Sequence, residues 1–127
     1  MRILSRVFAF LKRAKPVPLD QWFFVSFDDV TVHVKAQPPG RDAWEQSFPW
    51  SAIERVCFKD EGIYASDGLY IFTNLRPESF VIPTEGNGGE AFFAALHAKG
   101  FFPTEIFSAA ISSTDGGTYC WPRTDAV

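Results

Sequence analysis

The sequence predicts an α+β fold: an antiparallel meander curled into a partial barrel or sandwich, with an amphipathic helix before it and helices after it. Three patterns carry this prediction. From residue 21 to residue 83, short apolar or alternating runs are separated by clusters of Asp, Asn, Gly and Pro, as short strands and tight turns require. From residue 90 to residue 111, the apolar spacing becomes that of helices. Strands followed by helices, rather than alternating with them, make the α+β class. A chain of 127 residues holds one domain, and its 14 Phe and 4 Trp supply a large aromatic core.

The elements follow in order. Residues 1–15 form a basic amphipathic helix. At about 100° per residue, Ile3, Leu4, Val7, Phe8, Phe10, Leu11 and Ala14 fall on one half of the wheel. Arg2, Ser5, Arg6, Ala9, Lys12 and Arg13 fall on the other. Lys15-Pro16 and Pro18 end this helix, because a residue before proline avoids the helical region. Residues 16–127 then make a single domain. Residues 21–27 are aromatic on both faces, which predicts a buried strand. Asp28-Asp29 is a tight turn, and residues 30–35 alternate, with Val inward and Thr31, His33 and Lys35 outward. These two runs predict a hairpin.

Pro38 to Asp42 is a loop, residues 43–48 a third strand, and residues 49–53 a corner leading into a strand over 54–59. A turn follows at Asp60-Glu61-Gly62, an extended stretch at 63–66, and another turn at Asp67-Gly68. Residues 69–73 and 80–83 complete the meander. The glycine-rich stretch 84–89 is expected to be a flexible entry loop to a capped helix over 90–99, with Phe92, Phe93 and Leu96 on its buried side. That helix should cover the open end or face of the meander. Gly100 stops it in the left-handed conformation. Pro103 begins a second helix with Ile106, Phe107, Ala110 and Ile111 on one face. Residues 118–121 form a closing strand, and residues 123–127 a loose tail.

Charge divides the chain in two. Arg2, Arg6, Lys12, Arg13 and Lys15 stand in a segment without acids, while residues 16–127 hold seven basic residues against all fifteen acids, a net of −8. An acidic body argues against nucleic acid as a partner, since such binding needs a basic face. The charges at 6, 12 and 13 interrupt any apolar run of the kind an export signal needs, and no run approaches the roughly 20 apolar residues of a membrane span. The expected location is therefore cytoplasmic, with Cys57 and Cys120 as free thiols in a reducing compartment.

The chain offers little for catalysis. His33 lies on an outward strand face and His97 on a helix, and a nucleophilic pair would need a cysteine beside one of them. Asp28-Asp29 and Asp60-Glu61 stand at turns, where Asp accepts backbone N–H groups. No ligand spacing for a metal exists, and the glycine-rich loop lacks the Lys and Ser/Thr of a phosphate cradle. No catalytic residue, metal or cofactor is expected, and the chain is expected not to be an enzyme. Trp50 and Trp121 are expected core anchors, whereas Trp44, beside Arg41-Asp42, is a candidate protein-contact residue.

Trp50, Ile53, Val56 and the Phe58-Lys59-Asp60 segment are followed by Tyr64, Ser66-Asp67, Ile82-Pro83, a helix ending near Gly100, and Tyr119-Cys120-Trp121-Pro122-Arg123. In this order they resemble a group of small bacterial proteins with a pleckstrin-homology-like fold. The resemblance covers roughly residues 20–123 and implies that fold, without an activity. The glycine-rich loop and the basic helix depart from the pattern.

Two functions are compatible with these features. The first is a non-enzymatic interaction module that presents an open sheet edge to a protein partner. Its N-terminal helix, through Arg2, Arg6, Val7, Phe8, Leu11, Lys12, Arg13 and Lys15, either docks on its own domain or a partner, or lies on an anionic membrane surface at the inner face. The alternative is an acidic, immunity-type inhibitor of a basic protein.

Overall fold

The computed structural model describes residues 17–60, 67–112 and 116–122, the side chains of Ala110 and Ile111 excepted. The expected N-terminal helix with all its candidate contact residues, the stretch 63–66 and the expected tail at 123–127 lie outside the described residues.

Within them the chain runs through β1 (Phe23–Phe27), β2 (Thr31–Ala36), β3 (Trp44–Pro49), β4 (Ile53–Lys59), β5 (Gly68–Thr73), β6 (Phe80–Pro83), α1 (Gly89–Ala98), α2 (Thr104–Ser112) and β7 (Thr118–Trp121). All strand pairs are antiparallel. They form two sheets, ordered β1-β2-β3 and β6-β5-β4-β7, and neither closes into a barrel. The α+β class is therefore the observed one.

Local chemistry accounts for the turns. Asp28 Oδ1 accepts the N–H groups of Val30 and Thr31, both at 2.8 Å, so its side chain organises the β1–β2 turn. Val32 and Val34 point inward and are buried, while Val30, in the turn, is 67% exposed. At the β3–β4 corner a short 3-10 turn over Trp50–Ala52 redirects the chain from one sheet to the other. Trp50 is 6% exposed there. Its Nε1 donates to Asp28 O at 2.8 Å, which ties the corner to the first hairpin.

Both sheets share one apolar core. Phe48 of β3 meets Phe80 of β6 with ring centroids 4.5 Å apart. Helix α1 plugs the end between the sheets: Phe92 contacts Phe27 and Trp50, and Phe93 stacks on Phe58 at 5.1 Å. Gly100 ends the helix at φ 89°. Its N–H donates to His97 O, and Phe101 N–H donates to Leu96 O, the double closure that left-handed glycine permits. This turn drops Phe101 against Trp50 and buries Phe102 completely.

Three expectations are corrected. Residues 23–27 form an edge strand: Phe24 is partly exposed because the outer face has no sheet above it, while Phe27 points inward against Trp50 and Phe92 and is partly exposed at the strand's end. The glycine-rich stretch is not a loose entry loop. Val25 N–H donates to Asn87 O at 2.9 Å and Asn87 N–H to Phe23 O at 2.8 Å, so this stretch covers the outer edge of β1. The N-cap of α1 is Gly88 at φ 85°, with no side-chain cap. The third correction concerns the cysteines. Antiparallel register sets Cys57 of β4 opposite Cys120 of β7 with Cα atoms 4.0 Å apart, and the two form a disulfide rather than free thiols.

Candidate functional site

Backbone hydrogen bonding identifies where the molecule can receive a partner. In an antiparallel pair, alternate residues direct their N–H and C=O to one neighbour and the others to the opposite side. Asp28 N–H donates to Thr31 O, and Gln37 N–H to Trp22 O, so residues 31, 33, 35 and 37 serve β1. Residues 30, 32, 34 and 36 then serve β3, as the bond from Trp50 N–H to Val30 O illustrates. On β3 the residues turned toward β2 are Trp44, Gln46 and Phe48. Glu45 and Ser47 direct both backbone groups outward, and Pro49 its carbonyl.

The two edges of this sheet differ. At β1 the outward carbonyl of Phe23 and the outward N–H of Val25 are taken by Asn87. At β3, among the described residues, no strand pairs with the outer side. A groove of about 510 Å³ runs over the outer face beside that edge, lined by Phe24, Ser26, His33, Lys35, Glu45 and Ser47. Lys35 lies opposite Glu45 in register and His33 opposite Ser47, so the floor has mixed charge.

Trp44 begins β3. Register places it in the inward row with Phe23 and Ala36, yet it sits at the end of the sandwich and remains 38% exposed. Its ring meets Phe23 edge-to-face at 6.0 Å. The exposed half of Trp44 thus adjoins the free edge. Sequence reasoning singled out Trp44 but not Glu45 or Ser47, because edge status depends on the pairing of all three strands.

The remaining polar candidates are engaged locally. Asp28 lies below its ordinary value of 3.8, chiefly through the N–H groups of Thr31 and Val30 and only secondarily through His33. His33 Nε2 is 3.9 Å from Asp28 Oδ2, and both side chains are largely solvent-exposed. His97 Nδ1 lies 2.6 Å from Phe102 O, and its ring stacks on Phe107 at 4.3 Å. Asp60 is buried and its Oδ2 accepts Gly116 N–H at 3.1 Å, fastening the turn before β7. With Cys57 and Cys120 bonded to each other, no Cys–His nucleophile pair forms. Among the described residues, no group of three or more His, Cys, Asp or Glu could hold a metal ion. No helix among them is long and apolar enough to cross a membrane. Comparison with known protein families, curated proteins and solved structures finds no match to this chain.

Proposed function

We propose that the protein is a non-enzymatic interaction module of pleckstrin-homology-like architecture, which takes an extended peptide of a protein partner along the free edge of β3. The observation that carries this reading is the contrast between the two edges of one sheet: β1 is covered by Asn87, and β3 offers the outward backbone groups of Glu45 and Ser47. A strand added there gains main-chain hydrogen bonds, and alternate side chains of the peptide reach the outer groove or the Trp44 side. Two antiparallel sheets followed by a helix that plugs their end support the pleckstrin-homology-like part of the reading. The basic segment of residues 1–15, which the sequence predicts to be an amphipathic helix, would provide a second attachment, to an anionic membrane surface or to the partner.

The test is selection from a displayed library of random linear peptides, followed by amide chemical-shift mapping on the full-length protein. Selected peptides should move the Glu45 and Ser47 amides most. Ser47→Pro removes one outward donor while leaving the β2 ladder intact, because proline is tolerated on the free side of an edge strand. This variant should fold and bind at least about tenfold more weakly, the equivalent of one lost hydrogen bond of about 1.4 kcal/mol. Shifts centred elsewhere, or unchanged binding by the folded variant, would refute strand addition at β3.

A further inference from the structure

The Cys57–Cys120 disulfide joins β4 to β7 on the side of the sheet turned away from the core, since Val56 and Phe58 point inward and are buried. We propose that this bond is a reversible clasp, whose reduction releases β7 from the outer edge of β4. The inference stands on a different sheet from the β3 reading and does not depend on it.

Besides the bond, a short ladder and two half-buried rings hold this strand: Tyr119 lies 6.5 Å from Phe58 between ring centroids, and Trp121 packs against the core. β7 has four residues and, among the described residues, pairs with a strand on one side only. Its lead-in is fastened at Asp60, which accepts Gly116 N–H through its carboxylate and donates its own N–H to Gly117 O. The pairing of β7 with β4 spans a sequence separation of 63 at the cysteines. With the bond intact, the entropy of closing that long loop is already met in every state of the chain. Without it, a four-residue ladder, the Asp60 contacts and the partly buried Tyr119 and Trp121 must offset the closure, and short edge segments of this kind are the first to open locally. Opening would uncover the edge of β4 at Val56, Cys57 and Phe58.

Access favours one direction of attack. Cys57 is 8% exposed, whereas Cys120 is half-buried on the edge strand. A thiolate of a dithiol reductant attacks Sγ of Cys120, and the Cys57 sulfur leaves as a thiolate and takes up a proton. The reductant's second thiol, losing its proton, attacks its own sulfur in the mixed disulfide and expels the Cys120 thiolate, which is protonated in turn. Two electrons and two protons pass to the protein, and the reductant departs as its own disulfide.

The experiment uses the full-length oxidised protein, with dithiothreitol as the reductant in native buffer. Alkylation and intact mass count the thiols, and hydrogen exchange follows residues 117–122 and 89–98. The clasp requires two thiols to appear without denaturant, and exchange over 117–122 to rise by about tenfold or more while that over 89–98 changes less than about twofold. The Cys57→Ala, Cys120→Ala double variant should reproduce the reduced pattern without reductant. If that variant does not fold, the reduced wild-type chain gives the same readout. Reduction that succeeds only in denaturant would overturn the proposal. So would unchanged exchange over 117–122 in the reduced protein, or an equal rise in α1, which marks a general staple rather than a clasp on one strand.

Discussion

Single residues at the corner between the sheets carry a large share of the architecture. Trp50 contacts Phe27, Phe92 and Phe101 through its ring, sits under the Lys99 ammonium at 4.7 Å, and donates to Asp28 O. Trp50→Ala removes a nearly buried aromatic side chain from between both sheets and α1, and should cost about 3–5 kcal/mol in urea unfolding. Trp50→Phe keeps an aromatic ring in place and loses the indole donor, so about 1 kcal/mol is expected. Similar losses for the two would show that the hydrogen bond, not the ring, holds the corner. Asp28, at the other end of that bond, adds a pH dependence. Its folded carboxyl lies below the ordinary value because two backbone N–H groups favour the charged form. Its contribution is therefore complete above the unfolded value and is lost as pH falls through the lower folded one. Carboxyl NMR titration should place Asp28 below 3.8, and Asp28→Ala should flatten the acid limb of the stability profile.

At the scale of elements, close approach decides what glycine is for. A Cβ on Gly88 would lie 2.1 Å from Val25 O, at φ 85°, whereas a Cβ on Gly40, at φ 73°, meets nothing within 4 Å. Gly40→Ala therefore pays only for left-handed backbone, about 1 kcal/mol. Gly88→Ala must also push the loop off β1, at about 3 kcal/mol or more, and should speed exchange of the Val25 amide, whose acceptor is Asn87 O. Equal melting temperatures for the two variants would contradict the covered edge. These glycines also mark what could be read along the chain. Local chemistry was legible: the Asp28 turn, the inward Val32 and Val34, and the Gly100 stop each depend on residues within a few positions. The β1 edge, the role of Asn87 and the Cys57–Cys120 bond depend on partners tens of residues away, and no local pattern encodes their register. The free edge of β3 belongs to this second kind, which is why Trp44 stood out from its sequence neighbourhood while Glu45 and Ser47 did not.

At the scale of the whole molecule, the charge division would make the proposed attachment directional. Residues 1–15 hold five cations and no acid, and the remaining chain carries a net of −8. On an anionic surface each nearby Lys or Arg contributes about 1 kcal/mol, while the acidic body is repelled, so attachment should come through the N-terminal segment alone. One amphipathic helix binds weakly and reversibly, and salt shortens the screening length from about 10 Å at 0.1 M to about 3 Å at 1 M. The full-length protein should float with vesicles containing phosphatidylserine at low salt, not with neutral vesicles, and should be released by 1 M salt, at which the screening length is about 3 Å. Phe8→Asp with Leu11→Asp puts two acids on the apolar half of the wheel and leaves all five cations in place. Loss of flotation in that variant assigns attachment to an inserted apolar face. Retained flotation would mean that charge alone attracts the chain, and equal behaviour on neutral vesicles would remove the membrane from the reading, leaving the partner as the ligand of residues 1–15.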